Sequence, residues 1–194
     1  ARKLVERFNA GALPAPIKLV SQQTIGASLG LDSLRKTIFA GIFGFALTAL
    51  FIIIYYRGFG LIAVLALTIY SILTLGIFKL IPVTLTLAGI AGFILSIGMA
   101  VDANVLIFAR IKEELKKGLS KTAAIEEGFR RAWPSIRDSN ITTIIIAVIL
   151  FYFATSFVKG FALTLFIGIL MSMFSAIIIT RSLLELFVRD AKEK

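Results

Sequence analysis

The sequence has no cysteine and no histidine. Without cysteine there is no disulfide framework, no thiolate nucleophile and no thiolate-held metal. Without histidine there is no imidazole base, no imidazole metal ligand and no serine–histidine–aspartate triad. Most hydrolytic and redox chemistry loses its usual residue, so neither an enzyme nor a cofactor- or metal-carrying protein is expected. Charge is scarce too. Only 16% of the 194 residues are charged, where a soluble domain carries about a quarter. Hydrophobic residues make up 58%, and the mean hydropathy is +0.95. These values exclude a disordered chain and an ordinary soluble globule, and leave a polytopic membrane protein. What charge there is leans basic, with 21 Lys and Arg against 11 Asp and Glu. In a membrane protein such residues set topology and meet anionic headgroups. Membrane lipid is therefore an expected partner and nucleic acid is not.

A spanning helix needs about 20 mostly apolar residues. Five stretches qualify, at 37–56, 59–78, 83–108, 140–158 and 160–184. Their length excludes buried strands, and open strands cannot cross lipid. The expected fold class is all-α, a bundle of five transmembrane helices. Short polar or helix-breaking links at Arg57-Gly58, Lys79 to Pro82 and Lys159-Gly160 make the neighbours antiparallel. The single long connection is 109–139. Within it, 111–117 extends the third helix as far as Gly118. Ser120 caps an amphipathic helix to about Trp133, where Pro134 stops it; that helix is expected to lie on the bilayer surface or cap the bundle. Gly118-Leu119-Ser120-Lys121-Thr122 looks like the end of a phosphate-binding loop, but Leu115 and Ser120 stand where that motif needs glycine. ATP binding is excluded on that ground.

Thirteen of the 21 Lys and Arg fall with Arg57, the 109–139 loop and the C-terminal tail. The positive-inside rule makes that side cytoplasmic and places the N-terminus outside. An outside N-terminus needs an upstream signal or span, and the chain begins Ala1-Arg2-Lys3. The expectation is a piece of a longer polypeptide. Residues 1–32 would be the tail end of an extracytoplasmic domain and a linker, and 33–194 the transmembrane domain. Leu13-Pro14-Ala15-Pro16 reads as extended or turn-like, and 17–25 as a short strand whose partners lie in other sequence.

Asp102 is the sharpest feature. It is the only acidic or basic residue away from the ends of the spans, about 12 Å along a helix from Arg110. A charged Asp at the bilayer centre costs roughly 2.5–3.5 kcal/mol. A carboxyl at that depth reads as a proton or cation site, or as an interhelical hydrogen bond. Ala88, Gly92, Ser96, Ala100 and Asn104 recur every four residues beside it, a row of small groups that lets another helix come close. A second cluster, Arg137-Asp138-Ser139-Asn140-Ile141-Thr142-Thr143, stands at the entrance of the fourth span. Asp138 could cap that helix, take part in a proton relay, or do both. Asn140, Thr142 and Thr143 could hydrogen-bond Asp102 or relay protons through water. Arg110 could pair with either carboxylate or anchor to headgroups.

Two of these stretches carry a resemblance. Gly98-Met99-Ala100-Val101-Asp102-Ala103-Asn104-Val105-Leu106-Ile107-Phe108, followed by Arg110-Ile111-Lys112-Glu113-Glu114-Leu115, resembles the fourth transmembrane helix of the SecD branch of the SecD/SecF protein-export family. Asp138 to Thr143 resembles the start of that branch's fifth helix. Gly11 to Pro16 and Gly26 to Ser33 resemble the segment leading from its periplasmic domain into its second helix. The resemblance covers nearly the whole chain. It implies helices two to six of a six-helix half-bundle, related to the resistance-nodulation-division transporters, in the bacterial cytoplasmic membrane. It implies a subunit of the Sec machinery that uses the proton gradient to promote protein translocation. The implied partners are SecF, the SecYEG translocon, YajC and the exported unfolded protein. The family's key acidic residue falls on Asp102, and Asp138 on a second acidic position. One departure is Ala109, where the resemblance predicts Glu. The rival readings are another transporter of the same superfamily and a structural scaffold without ion traffic.

Overall fold

A computed structural model describes residues 27–190 of the chain. The turn-like segment expected at 13–16 and the strand expected at 17–25 lie outside the described residues. The chain divides into two units, Ala1–Asp32 and Ser33–Lys194, and the architecture below is that of the second. The described residues are all helical apart from short links. They form α1 (Ala27–Tyr56), α2 (Gly58–Leu80), α3 (Leu87–Lys116), α4 (Lys121–Phe153) and α5 (Ser156–Phe174). A π-helical stretch at Ser175–Thr180 then runs into α6 (Arg181–Asp190). Five helical runs are long and apolar enough to cross a membrane, the last one carrying α5 through the π-helical stretch into α6.

The links differ from the sequence reading in ways that local chemistry explains. Arg57 alone joins α1 to α2, at a φ of 52°. Helix α3 starts at Leu87 rather than 83. Pro82 sits just beyond α2, and the Thr86 hydroxyl accepts a hydrogen bond from the Gly89 N–H at 3.1 Å, which fixes the start of the helix. Lys159-Gly160 is not a turn. Helix α4 ends at Phe153, with the Ala154 N–H bonded to the Leu150 carbonyl at 3.0 Å, and α5 begins after the extended Thr155. Lys159 lies in the first turn of α5, where its N–H bonds the Thr155 carbonyl.

The connection 109–139 is the expected pair of helices joined by a turn, and the correction lies at Pro134, which does not stop the second one. Helix α3 runs to Lys116, and Gly118, at φ 89°, turns the chain. Ser120 caps α4, its hydroxyl accepting from the Ala123 N–H at 3.4 Å. Helix α4 then continues through Pro134 to Phe153. A proline removes one backbone bond, but packing on both sides carries a helix past it. Ala132 and Ile136 are both buried here. At 1.5 Å per residue, α4 is about 50 Å long, against a hydrocarbon core of about 30 Å. The first half of α4 therefore extends beyond the membrane alongside the end of α3. The two pack closely where Gly128 meets Ile111; a Cβ on Gly128 would come 2.9 Å from the Ile111 backbone nitrogen.

The core is the contact between α3 and α5. The every-fourth-residue row on α3 is the seam, and Ala88, Gly92, Ser96, Ala100 and Asn104 are all buried. Gly89 and Gly92 meet Thr164 and Phe161, Ser96 meets Gly168, and Asn104 meets Thr180. Partner numbers rise together, so the two helices run parallel. Hydrogen bonds tie the seam at three levels. The Thr164 hydroxyl donates to the Gly89 carbonyl at 2.8 Å. Tyr70 of α2 shares a 2.7 Å bond with the Ser96 hydroxyl and donates to the Gly168 carbonyl at 3.3 Å. Thr180 donates to the Asn104 side-chain oxygen at 2.8 Å.

Candidate functional site

Helices α3 and α4 present one polar cavity between them, of about 190 Å³. Asp102 and Met99 line it from α3, and Ser139, Asn140 and Thr143 from α4. Ala103, Leu106 and Ile136 complete the wall. Helical period explains the choice. Met99, Asp102, Ala103 and Leu106 share one face of α3, while Ile136, Ser139, Asn140 and Thr143 share one face of α4. Asp102 makes no hydrogen bond or ion pair among the described residues. It is exposed at the cavity edge, whereas Asn140 is buried.

The polar groups opposite Asp102 are anchored. The Asn140 amide donates to the Ile136 carbonyl at 2.8 Å. The Thr143 hydroxyl donates to the Ser139 carbonyl at 3.0 Å. Their oxygens remain able to accept. A carboxyl group, an amide and two hydroxyls thus face a space with room for a few waters. Such a set can carry a proton or hold a small cation.

The sequence-derived set divides here. Asp102, Asn140 and Thr143 share the cavity. Asn104 lies on another face of α3, bound to Thr180. Thr142 points elsewhere on α4, its hydroxyl bonded to the Asp138 carbonyl at 2.9 Å. Asp138 does not cap a helix. It sits mid-helix, where the N–H groups a cap would satisfy are already bonded, and it pairs with Arg137 at 2.9 Å. Arg110 reaches neither Asp102 nor Asp138. It pairs with Glu113 one turn along α3, at 2.9 Å.

Sequence reasoning did not single out Ser139 or Thr180. Ser139 lies four residues before Thr143 and one after Asp138, so the face it shares with Thr143 was available from spacing alone. Thr180 gave no such signal, because its partner is 76 residues away. A charged cluster beyond the membrane half was also missed. Glu114, almost fully buried, takes Lys117 at 2.8 Å and Arg131 of α4. Arg131 also reaches Glu113 at 3.3 Å. These bonds tie the projecting halves of α3 and α4 together. Ala109, where an acidic residue was expected, is only partly buried.

Residues 6–190 match the family described as protein export membrane protein SecD/SecF, C-terminal. The chain is 55% identical to the protein translocase subunit SecD of Thermobaculum terrenum, across 95% of this chain and 37% of that protein. It is 51% identical to the SecD subunit of Dehalococcoides mccartyi, across 97% of this chain and 43% of that one. The chain thus spans about two fifths of the length of these relatives. Its fold is similar to the crystal structure of SecDF, a translocon-associated membrane protein from Thermus thermophilus. The TM-score is 0.84 and the identity 43%, over 86% of this chain and 23% of the other. A helical bundle of five potential spans, a carboxyl group set into it and a match from residue 6 to residue 190 agree: the chain belongs to the SecD/SecF C-terminal family of protein export membrane proteins.

Proposed function

We propose that this chain is the proton-coupling membrane part of a Sec export subunit. It lies in the bacterial cytoplasmic membrane with its N-terminus outside and its C-terminus in the cytoplasm. It works with SecF, the SecYEG translocon and YajC, on unfolded protein in transit. The observation that carries this reading is Asp102, a carboxyl group within a span, without a partner among the described residues and facing Ser139, Asn140 and Thr143 across a small cavity. An acidic group at that depth is costly, and such a group is by default a candidate for an ion pathway. The names of the relatives supply the setting, since SecD is called a protein translocase subunit and SecDF translocon-associated.

The energetics are adequate. One charge moved through 100 mV yields about 2.3 kcal/mol. Alternation of Asp102 between ionised and neutral forms would shift two packings of the α3–α4 face by a similar amount. Asn140 and Thr143 offer oxygens to water or to the protonated acid and remain fixed by their own helix.

The test uses the full-length protein with its partners in vesicles. Asp102→Asn should abolish the proton-dependent part of export while assembly remains equal to wild type. Export that keeps its full dependence on the gradient would make Asp102 a packing residue and the domain a scaffold.

A further inference from the structure

Farther along α3, beyond the seam, a second and larger space of about 610 Å³ opens. It lies at the end of the bundle where α1 turns into α2, α3 leaves the membrane and α4 begins. Its walls are apolar, from Phe59, Ile62, Leu115, Ile125, Leu184 and Phe187. Its charged residues are Arg57, Lys112 and Lys121, and no acidic residue lines it. Tyr55 and Tyr56 stand beside these, at the level where aromatic residues mark the membrane interface.

The pairing of charges at this end is uneven. Arg110, Lys117, Arg130, Arg131, Arg137 and Arg181 each hold a carboxylate. Arg57, Lys112 and Lys121 make no ion pair among the described residues. Exposed Lys116 is also unpaired but does not line the space. The Lys112 ammonium stands 4.3 Å from the Tyr56 ring centre and 3.5 Å from the Tyr55 carbonyl. Neither contact neutralises it. Arg57 is held at a φ that non-glycine residues rarely adopt, so its place in the wall is fixed by the one-residue link.

We propose that this space binds one anionic phospholipid, its phosphate between Lys112, Lys121 and Arg57 and an acyl chain against Ile62, Leu115 and Phe187. The charge complementarity selects an anion, since three cationic residues line the space with no acid among them. The apolar walls select an anion with a hydrocarbon tail, because a free anion gains nothing from them. Basic pockets between helices at the membrane surface hold lipid headgroups in this way. The site is separate from the Asp102 cavity, and its readout does not depend on proton coupling.

The experiment is native mass spectrometry of the full-length protein in detergent. The probes are phosphatidylglycerol, phosphatidylcholine and inorganic phosphate. Wild type should retain phosphatidylglycerol and not phosphatidylcholine. Lys112→Gln with Lys121→Gln should lower that retention about tenfold, and Lys79→Gln with Lys159→Gln, which removes equal charge elsewhere, should leave it unchanged. Lys112→Arg with Lys121→Arg should keep the lipid. Leu115→Trp, with every charge intact, should lose it by filling the tail's place. Equal loss from both glutamine pairs would reduce the effect to diffuse attraction and overturn the site. Loss in the arginine pair equal to that in the first glutamine pair would overturn the role of charge. Displacement by inorganic phosphate would replace the lipid with a free anion.

Discussion

Helix α1 and the α3–α5 pair are both apolar and of span length, yet they are built from different residues. Helix α1 carries Ile38, Phe39, Ile42, Phe43, Leu47, Leu50, Phe51 and Ile54, all exposed. Only 6% of its apolar window is buried, against 50% for the last span. Its firm contacts are near its end, where Ile52 and Tyr56 are buried and the Tyr56 ring lies 5.9 Å from that of Phe108. The α3–α5 seam instead uses glycine, alanine, serine and threonine. In lipid, a large apolar side chain gains little by leaving hydrocarbon for a helix neighbour. Association then depends on close backbones and on polar groups that need partners. The seam has both, and α1 over most of its length has neither. Hydrophobicity says that a helix enters the membrane, and small residues say which helices meet there.

That contrast can be broken most severely at Gly168. A Cβ there would collide with the Ser96 side chain and lie 3.2 Å from the Tyr70 hydroxyl. Gly168→Leu should destabilise by about 3 kcal/mol or more, read as loss of folded protein in a thermal-stability assay in detergent. A tolerated leucine would mean that the seam is not closely packed. Thr180→Val removes the donor to Asn104, leaving a buried oxygen unmatched, and should cost about 1–2 kcal/mol in the same assay. Tyr70→Phe removes the hydroxyl shared by Ser96 and Gly168. Interhelical bonds of this kind average about 0.6 kcal/mol, so a loss of about 1 kcal/mol is expected for one linking three helices. The comparison is sharpened at its other end by Leu47→Ala on α1. That change should lie within about 0.5 kcal/mol of wild type for the isolated chain. A large effect that appears only when partners are present would show that another protein covers α1.

Hydropathy located the five spans, because length and apolarity are what a bilayer demands. It misjudged their extents, because it detects only the part of a helix that lies in lipid. The projecting halves of α3 and α4 are amphipathic and charged; they read as helices, but the second was cut off at Pro134 from the span that it continues into. Pro134 and Lys159 were given the punctuation they usually carry. Pro134 was overridden by packing around Ala132 and Ile136. Lys159 belongs to a first helical turn, where a long side chain can reach the interface. The row from Ala88 to Asn104 was legible as a seam, since spacing of four needs no knowledge of the partner. At the candidate site, Asp102, Asn140 and Thr143 were named from sequence, but which of their neighbours face the same space depends on how α4 is rotated against α3. Only the continuous run of α4 from Lys121 fixes that rotation.

The π-helical stretch at Ser175–Thr180 has a consequence of its own. Wider turns take up extra chain over the same rise, so the residues after it are out of phase with those before it. Each α-helical residue advances about 100° around the axis. Substitutions alter what a position presents, but a single deletion within 175–180 would return the run to α-helical pitch and leave α6 nearly in place, whereas a deletion within 156–174 would rotate everything beyond it by about that angle. Thr180 would turn away from Asn104, and Leu184 from the groove it lines. The freedom to lose a residue should therefore be greater in this short apolar stretch than elsewhere in the last span, which hydropathy alone would treat as uniform.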